Sequence, residues 1–275
     1  MSAQYTAAEL DPLVITSPST RCGTTLLQRL LCSSHRALIF GERCGKDLDL
    51  YLNLYAFKSR EYNWRKPALE SSLRQVLQGD SGDWILELMP DVDRYLDALA
   101  RASFAGLAAC RAYACEVGRP VWGFKMPGWK PASIELLRSF QPGSRFIYIY
   151  RDLVACVRSA KAQLEIGSLQ ALRDYCTAWA ESQTTMLAMA GDPRILLIDY
   201  ADLLAERERT LQRIAQFTRL DDLDERVLER KINTWKGDEY LLQSPDGYRP
   251  PADLSDAESQ LIAELTAPLS APLAA

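Results

Sequence analysis

The segment from Leu13 to Leu31 constrains the fold more than any other part of the chain. The apolar run Leu13-Val14-Ile15 is typical of a buried strand, and leucines at 26, 27, 30 and 31 follow a helical period. Between them lies Pro18-Ser19-Thr20-Arg21-Cys22-Gly23-Thr24-Thr25. A strand, a tight loop and a helix in this order leave backbone N–H groups unpaired at the helix N-terminus, where the helix dipole also favours an anion. The segment therefore predicts a phosphate- or sulfate-binding loop.

The loop differs from the Walker A motif at the positions that bind Mg-ATP. That motif is Gly-x-x-x-x-Gly-Lys-Ser/Thr, in which the lysine contacts the outer phosphates and the hydroxyl contacts magnesium. Here Thr24 stands at the lysine position, Ser17 or Pro18 replaces the first glycine, and the cation of the loop is Arg21. We therefore expect an anion site that does not hold Mg-ATP. An ordinary turn, in which Gly23 serves only the backbone geometry, is the alternative.

Strand and helix patterns alternate along the chain. The expected strands are 13–16, 37–40, 121–125, 145–150 and 194–199, and the last two are apolar runs typical of strands buried on both faces. Helical periodicity predicts helices at about 68–78, 91–117, 131–140, 152–163, 169–190 and 203–217. Such alternation predicts an α/β protein with a P-loop-like three-layer fold, in which helices flank a central, mostly parallel sheet. We expect one domain over 1–275, with a core at 13–217 and an irregular segment, 218–275, as a candidate to cover the active site.

Charged or aromatic side chains lie at or just after the end of each of the five expected strands. They are Arg21, Glu42, Lys125, Arg151 with Asp152, and Asp199 with Tyr200. Ligands of parallel α/β sheets bind at the carboxyl ends of the strands, which share one edge. A single such residue often marks only the point where a strand meets water, but five on one edge predict a ligand site.

Charge and cysteine content narrow the class of protein. The chain has 275 residues and a net charge of −4, whereas nucleic-acid-binding proteins normally carry a basic surplus. The seven cysteines form no Cys-x-x-Cys pair, so we expect reduced thiols in a cytoplasmic protein rather than disulfides or a metal site. Without an N-terminal signal pattern or a run of about 20 apolar residues, no membrane association is expected. A homodimer is left open.

The order of these motifs resembles that of sulfotransferases that use 3′-phosphoadenosine 5′-phosphosulfate (PAPS), and the tyrosylprotein branch more than the phenol and steroid branch. The stretch from Pro18 to Leu26 is similar to the loop that binds the 5′-phosphosulfate in that family. The cofactor-binding residues that this similarity implies are Arg21, Cys22, Gly23, Thr24 and Thr25. Arg151-Asp152 followed by Ser159 resembles the segment that holds the 3′-phosphate, and Tyr200 matches a tyrosine that contacts the nucleotide. The resemblance spans about 13–217.

The same resemblance implies a catalytic set. Glu42 lies 21 residues after Arg21, where the family has its catalytic glutamate, and Lys125 lies 26 residues before Arg151, where the family has a lysine that stabilises the sulfuryl group. Arg21 is expected to share in that stabilisation. The alternatives are a solvated Glu42 paired with Arg43 and a surface lysine at 125. The chain departs from the family pattern at Cys22, where serine is usual, and at 19–20, two residues that the family lacks.

Together these expectations describe a reaction. We expect a metal-independent transfer of a sulfuryl group from PAPS to a hydroxyl or amine of a small-molecule acceptor, with Glu42 as general base. The lone histidine, His35, is expected to cap the end of the first helix. In that family a serine and a lysine late in the chain also contact the nucleotide. No residue here matches them clearly, and Lys231, Lys236 and Ser244 are the candidates. Aromatic clusters at 51–57 and 62–64 are candidates to line the acceptor pocket, with ordinary core packing as the alternative.

Other functions remain open at this point. Sulfation of a peptide or protein tyrosine is the alternative within the same family, and the acidic net charge disfavours it because the tyrosylprotein enzymes act on acidic peptides. A P-loop kinase or NTPase is disfavoured by the missing Walker lysine. A nucleotide-binding module without catalysis is the third class.

Overall fold

Five parallel strands form the central sheet of the computed structural model, which describes residues 10–80, 82, 87–229 and 250–266. The strands are β1 (Leu13–Ser17), β2 (Ala37–Phe40), β3 (Val121–Pro127), β4 (Arg145–Tyr150) and β5 (Ile195–Asp199). Their order is β2-β3-β1-β4-β5, and every neighbouring pair is parallel. The strand positions expected from the sequence are confirmed. Because β1 lies at the centre, the loop that follows it opens in the middle of the carboxyl edge.

Helices connect the strands and cover both faces of the sheet. They are α1 (Thr24–Ser33), α2 (Glu42–Leu77), α3 (Val92–Ser103), α4 (Ala105–Glu116), α5 (Pro131–Phe140), α6 (Leu153–Ala162), α7 (Leu169–Ala188), α8 (Tyr200–Ala205), α9 (Arg207–Thr218) and α10 (Asp256–Thr266), with a 3-10 turn at Glu225–Glu229. The helix expected at 91–117 is divided at Phe104, which separates α3 from α4.

The largest difference from the sequence-based prediction is α2, which spans 36 residues where only 68–78 had a clear helical pattern. Polar and apolar residues mix in its first half, and Gly45 and Pro67 both lower helix propensity. Tertiary packing overrides these signals. Gly45 fits closely against β3, since a Cβ on it would lie 3.0 Å from Phe124 and from Met126.

Alternating strand residues divide the core into two layers. Val14, Phe146 and Tyr148 point to the face covered by α2, α4 and α5, while Ile15 and Ile147 point to the face covered by α1 and α9. All five side chains are fully buried. This alternation is the consequence of the two-residue period of a strand with helices on both sides. The three-layer α/β fold predicted from the sequence is therefore confirmed.

A smaller cluster joins the C-terminal helix to the rest of the protein. Leu261 and Ile262 of α10 pack with Leu153, Val157 and Leu172 of α6 and α7. The irregular structure expected for 218–275 is therefore wrong for 256–266, because the apolar face of α10 finds a partner on two distant helices.

Candidate active site

The loop between β1 and α1 is built to accept an anion. Gly23 is the N-cap of α1 and adopts a left-handed conformation (φ 99°), and no described side chain caps the helix. No acidic residue lies in the first turn of α1. The N–H groups of the first turn have no partners within a helix, and together with the dipole they favour negative charge. Gly23 is also required by its surroundings, since a Cβ there would lie 2.4 Å from the ring of Tyr200.

Tyr175 on α7 holds the start of this loop. Its hydroxyl donates to the carbonyl oxygen of Thr20 at 2.7 Å and accepts from the hydroxyl of Ser19 at 2.9 Å. Arg21, the next residue, has a positive φ of 68°. The two residues by which the loop exceeds the family pattern, Ser19 and Thr20, are therefore the ones that Tyr175 secures. No pattern local to the loop could have indicated this contact, because Tyr175 lies 156 residues from Ser19.

Lys125 connects the loop to the carboxylate expected to be the base. Its Nζ donates to Oε1 of Glu42 at 2.7 Å and to the hydroxyl of Thr25 at 2.9 Å. Lys125 is only 9% exposed, so it is not the surface lysine of the alternative interpretation. Glu42 is the first residue of α2, directly after β2, and a carboxylate is favoured there by the helix dipole. Lys46, one turn further along, lies 3.7 Å from the other oxygen of Glu42.

Arg21 and Ser159 are in contact on the other side of the loop. The Nε of Arg21 donates to the hydroxyl of Ser159 at 3.1 Å, and its guanidinium lies 3.8 Å from the carboxylate of Glu165. Glu165 also accepts from the hydroxyl of Thr20 at 2.6 Å. The Arg21 side chain therefore lies against α6. Glu165 was missed by sequence reasoning, since it sits in a short connection between two helices and carries no periodic signal.

Arg151 and Tyr200 meet where β4 and β5 end. The Arg151 guanidinium carbon lies 4.8 Å from the centre of the Tyr200 ring, a cation–π geometry. The same guanidinium donates to the carbonyl oxygen of Arg21 at 3.4 Å. Asp152, which follows β4, and Asp199, the last residue of β5, serve as N-caps of α6 and α8. Arg151 and Tyr200 thus border the loop from the β4–β5 side.

Cys22 fills the space beneath the loop. Its sulfur lies 3.4 Å from that of Cys156 on α6, and both side chains are fully buried. The hydrogen bond with Cys22, together with burial, raises the pKa of the Cys156 thiol far above its usual value. All seven cysteines are free, as expected, although Cys115 is exposed. The role of the Cys22 side chain in this structure is packing.

Two further cations of α6 and the lone histidine make contacts away from the loop. Arg158 and Lys161 of α6 bind the C-terminal segment, through the carbonyl oxygens of Ala252 and Asp253 at 2.9 Å each. His35 pairs with Asp222 rather than with helix carbonyls, so its expected capping role is wrong. It precedes β2, whereas Glu42 follows β2, which places the two residues at opposite edges of the sheet.

Some expectations concern residues outside the described parts of the chain, namely Lys231, Lys236 and Ser244. Among the described residues, no group of three or more His, Cys, Asp or Glu side chains is placed to hold a metal ion. No described helix is long and apolar enough to cross a membrane.

Comparisons with known proteins identify the family of this chain. Residues 12–225 match the family model described as "Sulfotransferase family". A sulfotransferase domain from the olefin synthase of Synechococcus PCC 7002 has a similar fold, with a TM-score of 0.50 and 17% identity over 97% of this chain and 98% of that one.

Two further solved structures align less well. One is a sulfotransferase domain from the curacin biosynthetic pathway, with a TM-score of 0.48 and 16% identity over 94% of this chain and 99% of that one. The other is a sulfotransferase of Mycobacterium avium, with a TM-score of 0.44 and 16% identity over 95% of this chain and 77% of that one. No curated protein matched in a search with this sequence. Since the family model covers most of the chain, including the anion loop, Glu42, Lys125 and Arg151, the protein belongs to the sulfotransferase family.

Proposed function

We propose that this sulfotransferase transfers the sulfuryl group of PAPS to a hydroxyl or amine of a small-molecule acceptor, with Glu42 as the general base. The observation that carries the proposal is the position of Lys125, whose ammonium group bonds both to Glu42 and to Thr25 at the end of the anion loop. A base, a cation and an anion-binding helix terminus are thereby joined at one point. This is the set of groups that sulfuryl transfer requires.

The residues around the loop fit PAPS in charge and shape. The uncapped N-terminus of α1 suits the 5′-phosphosulfate, because its first-turn N–H groups can donate to the oxygens. Arg151 carries the planar guanidinium that binds a phosphate through two parallel hydrogen bonds, and we assign it the 3′-phosphate together with Ser159. Tyr200, against which Arg151 packs, offers its ring to the nucleotide. Arg21, Cys22, Gly23, Thr24 and Thr25 form the loop itself.

When bound, PAPS supplies an activated sulfuryl group whose departure leaves adenosine 3′,5′-bisphosphate. Glu42 accepts the proton of the acceptor as the acceptor atom becomes nucleophilic, a step that positioned bases accelerate by about 10²–10⁴-fold. We assign to Lys125 and Arg21 the stabilisation of the negative charge that develops on the leaving oxygen. Lys125 is nearly buried, and a charge held in such a site is screened less by water than an exposed one.

The small-molecule acceptor is favoured by charge. The chain carries a net charge of −4, which opposes the acidic peptides on which tyrosylprotein sulfotransferases act. Sulfation of a peptide tyrosine therefore remains the second candidate. A cytoplasmic location, a single domain and independence of metal ions are parts of the same proposal.

The first experiment is a thermal-shift titration with adenosine 3′,5′-bisphosphate beside ATP with magnesium. A ligand that binds only the folded protein stabilises it by about 2.7 kcal/mol at a hundredfold excess over Kd. We expect stabilisation by the bisphosphate alone. Stabilisation by Mg-ATP alone would overturn the assignment of the donor.

The second experiment follows the transfer of ³⁵S from labelled PAPS to a panel of phenols, alcohols and amines, with an acidic tyrosine peptide beside them. We expect label on at least one small molecule and turnover that survives EDTA. Label on the peptide alone would overturn the assignment of the acceptor, and binding of bisphosphate with no transfer to any acceptor would favour a binding module.

A further inference from the structure

Helix α2 has a second apolar face, directed away from the protein. Its inner face carries Leu48 and Leu52, which are 2% and 0% exposed. The opposite face carries large apolar side chains that remain in water: Leu50 is 70% exposed, Leu54 48%, Phe57 56% and Trp64 84%. With 3.6 residues per turn, these four side chains lie within one stripe along the helix. Contiguous exposed apolar surface of this kind marks an interaction site.

The spacing of this stripe is that of a helix-pairing seam. One row contains Arg43, Leu50, Phe57 and Trp64, which are seven residues apart, and a second row contains Asp47, Leu54 and Glu61, also seven apart. We call these two rows, with the adjoining Lys46 and Arg60, the outer face of α2. A repeat of seven keeps one line of side chains facing a partner helix along its whole length. The middle of the outer face is apolar (Leu50, Leu54, Phe57), charged residues lie on either side of it, and Arg43 and Trp64 form its two ends.

We propose that the outer face of α2 binds the same face of a second copy of this chain, with the two helices antiparallel. A two-fold dimer requires a patch that is complementary to itself, so that residue i meets residue j and j meets i. When Leu50 is placed opposite Phe57 of the partner subunit, Lys46 falls opposite the partner's Glu61 and Asp47 opposite the partner's Arg60. In this register Leu50 and Phe57 meet near the middle, and the charged pairs on either side of them have opposite sign.

Registers shifted by four residues lose this match. A shift of one turn in one direction places Leu50 opposite the partner's Glu61, and a shift in the other places Arg60 opposite the partner's Arg43. A partner of different sequence would not explain why the two ends of one face complement each other. The observations therefore favour a second copy over an unrelated protein.

The interface of the proposed dimer extends to the edge of the proposed active site. Arg43, which follows the proposed base Glu42, falls opposite Trp64 of the partner subunit, an arrangement that suits a cation–π contact. The contact from 43 to 64 is about 33 Å long, at 1.5 Å per residue. A single pair of helices of this length lies at the small end of stable interfaces, so the dimer should dissociate on dilution.

The test is sedimentation velocity over about a hundredfold range of concentration, with charge exchange at one pair of positions. Asp47→Arg alone and Arg60→Asp alone each place like charges opposite each other twice, and we expect the dimer Kd to rise at least about tenfold. The double variant Asp47→Arg/Arg60→Asp restores opposite charges across the interface, and we expect the wild-type Kd. Because residues 47 and 60 lie about 20 Å apart on one helix, the recovery can occur only between two chains.

A matched pair of variants separates the outer face from a general effect of surface charge. Leu50→Glu should give a monomer, whereas Leu187→Glu, at a 46% exposed position on α7, should leave the dimer intact. Circular dichroism checks that each variant is folded. A wild-type chain that is monomeric throughout, which would leave the face to another protein, overturns the proposal. So does a dimer that Leu50→Glu does not affect, or one that the double exchange does not restore.

Discussion

Lys125 of β3 and Glu42, the first residue of α2, form a 2.7 Å ion pair although they lie 83 residues apart in the chain. The same ammonium group bonds to Thr25 at the start of α1. The proposed base, the cation and the anion loop are therefore parts of one hydrogen-bond network. A change at any of the three residues is expected to affect the other two.

Replacement of Lys125 should impair catalysis far more than replacement of Lys46, the other cation near Glu42. Lys125→Met removes a buried donor, and we expect kcat to fall by about 10²–10³-fold. Lys46→Met removes a cation whose side chain is 63% exposed, and we expect less than a twofold change in kcat, roughly the scale of an exposed ion pair. Steady-state kinetics measure both. Similar losses in the two variants would contradict a special role for Lys125.

Glu42→Gln should separate binding from turnover. The amide keeps the shape of the side chain but cannot accept the acceptor's proton, so we expect kcat to fall by about 10²–10⁴-fold. The affinity for adenosine 3′,5′-bisphosphate, measured by calorimetry, should stay within about threefold because Glu42 is not assigned a nucleotide contact. His35→Asn is the control and should keep its activity. Near-normal turnover of Glu42→Gln would remove Glu42 from the mechanism.

Arg151→Lys tests the assignment of the 3′-phosphate. Lysine cannot form two parallel hydrogen bonds to a phosphate or reproduce the planar contact with Tyr200. We expect the Kd for adenosine 3′,5′-bisphosphate to rise at least about tenfold, while the Kd for adenosine 5′-phosphate, which lacks the 3′-phosphate, changes little. Equal weakening of both ligands would show that Arg151 contacts another part of the nucleotide.

Gly23→Ala should destabilise the protein because Gly23 combines a positive φ with contact to Tyr200. The strain alone costs about 1–3 kcal/mol, measured as the free energy of unfolding in urea. Gly41→Ala is the control, since a Cβ there meets nothing within 4 Å. In a Tyr200→Ala background the cost of Gly23→Ala should be smaller, because the clash with the ring is absent. Additive effects of the two substitutions would contradict this steric coupling.

Asp192 should make stability depend on pH under acidic conditions. Hydrogen bonds from Arg194 and the charge of Arg138 hold the pKa of Asp192 well below its usual value. A carboxylate with a depressed pKa contributes stability above the pKa of the unfolded chain, about 3.9, and this contribution is lost as the pH falls through the folded pKa. At pH 7 we expect Asp192→Asn to lower the free energy of unfolding by about 1–3 kcal/mol.

The difference between wild type and Asp192→Asn should shrink as the pH falls below about 4. Asp174→Asn, at an exposed position on α7, is the matched control and should change stability little at either pH. A difference that stays constant from pH 7 to pH 3 would mean that Asp192 acts through packing rather than charge.

The strands and the anion loop could be predicted from the sequence because their signals are local. The apolar runs 13–15 and 146–149 identify buried strands without reference to the rest of the chain, and Gly23 before Thr24-Thr25 marks the helix start. Helix α2 could not be predicted in full, because its inner and outer faces are both partly apolar and no single period stands out. Its length depends on packing against β3, α3 and α4.

In the candidate site, too, the residues could be predicted from the sequence, whereas their contacts could not. Glu42, Lys125, Arg151 and Tyr200 were identified by their positions after strands and by resemblance, and the parallel sheet places all four on one edge. The contacts between them could not be predicted. Tyr175 reaches Ser19 and Thr20 from α7, and Glu165 reaches Thr20 from the connection before it, across more than 140 residues of chain. Such contacts depend on how helices that are distant in the sequence pack against the sheet.

The central position of β1 separates the proposed base from the proposed 3′-phosphate site in space and along the chain. Glu42 follows β2 and Lys125 lies near the carboxyl end of β3 on one side of β1, whereas Arg151 and Tyr200 follow β4 and β5 on the other. Substitutions that adapt the first half to a new acceptor leave the second half, which is assigned to the nucleotide, untouched. The acceptor specificity can thus change, in evolution or by design, while the donor specificity is retained.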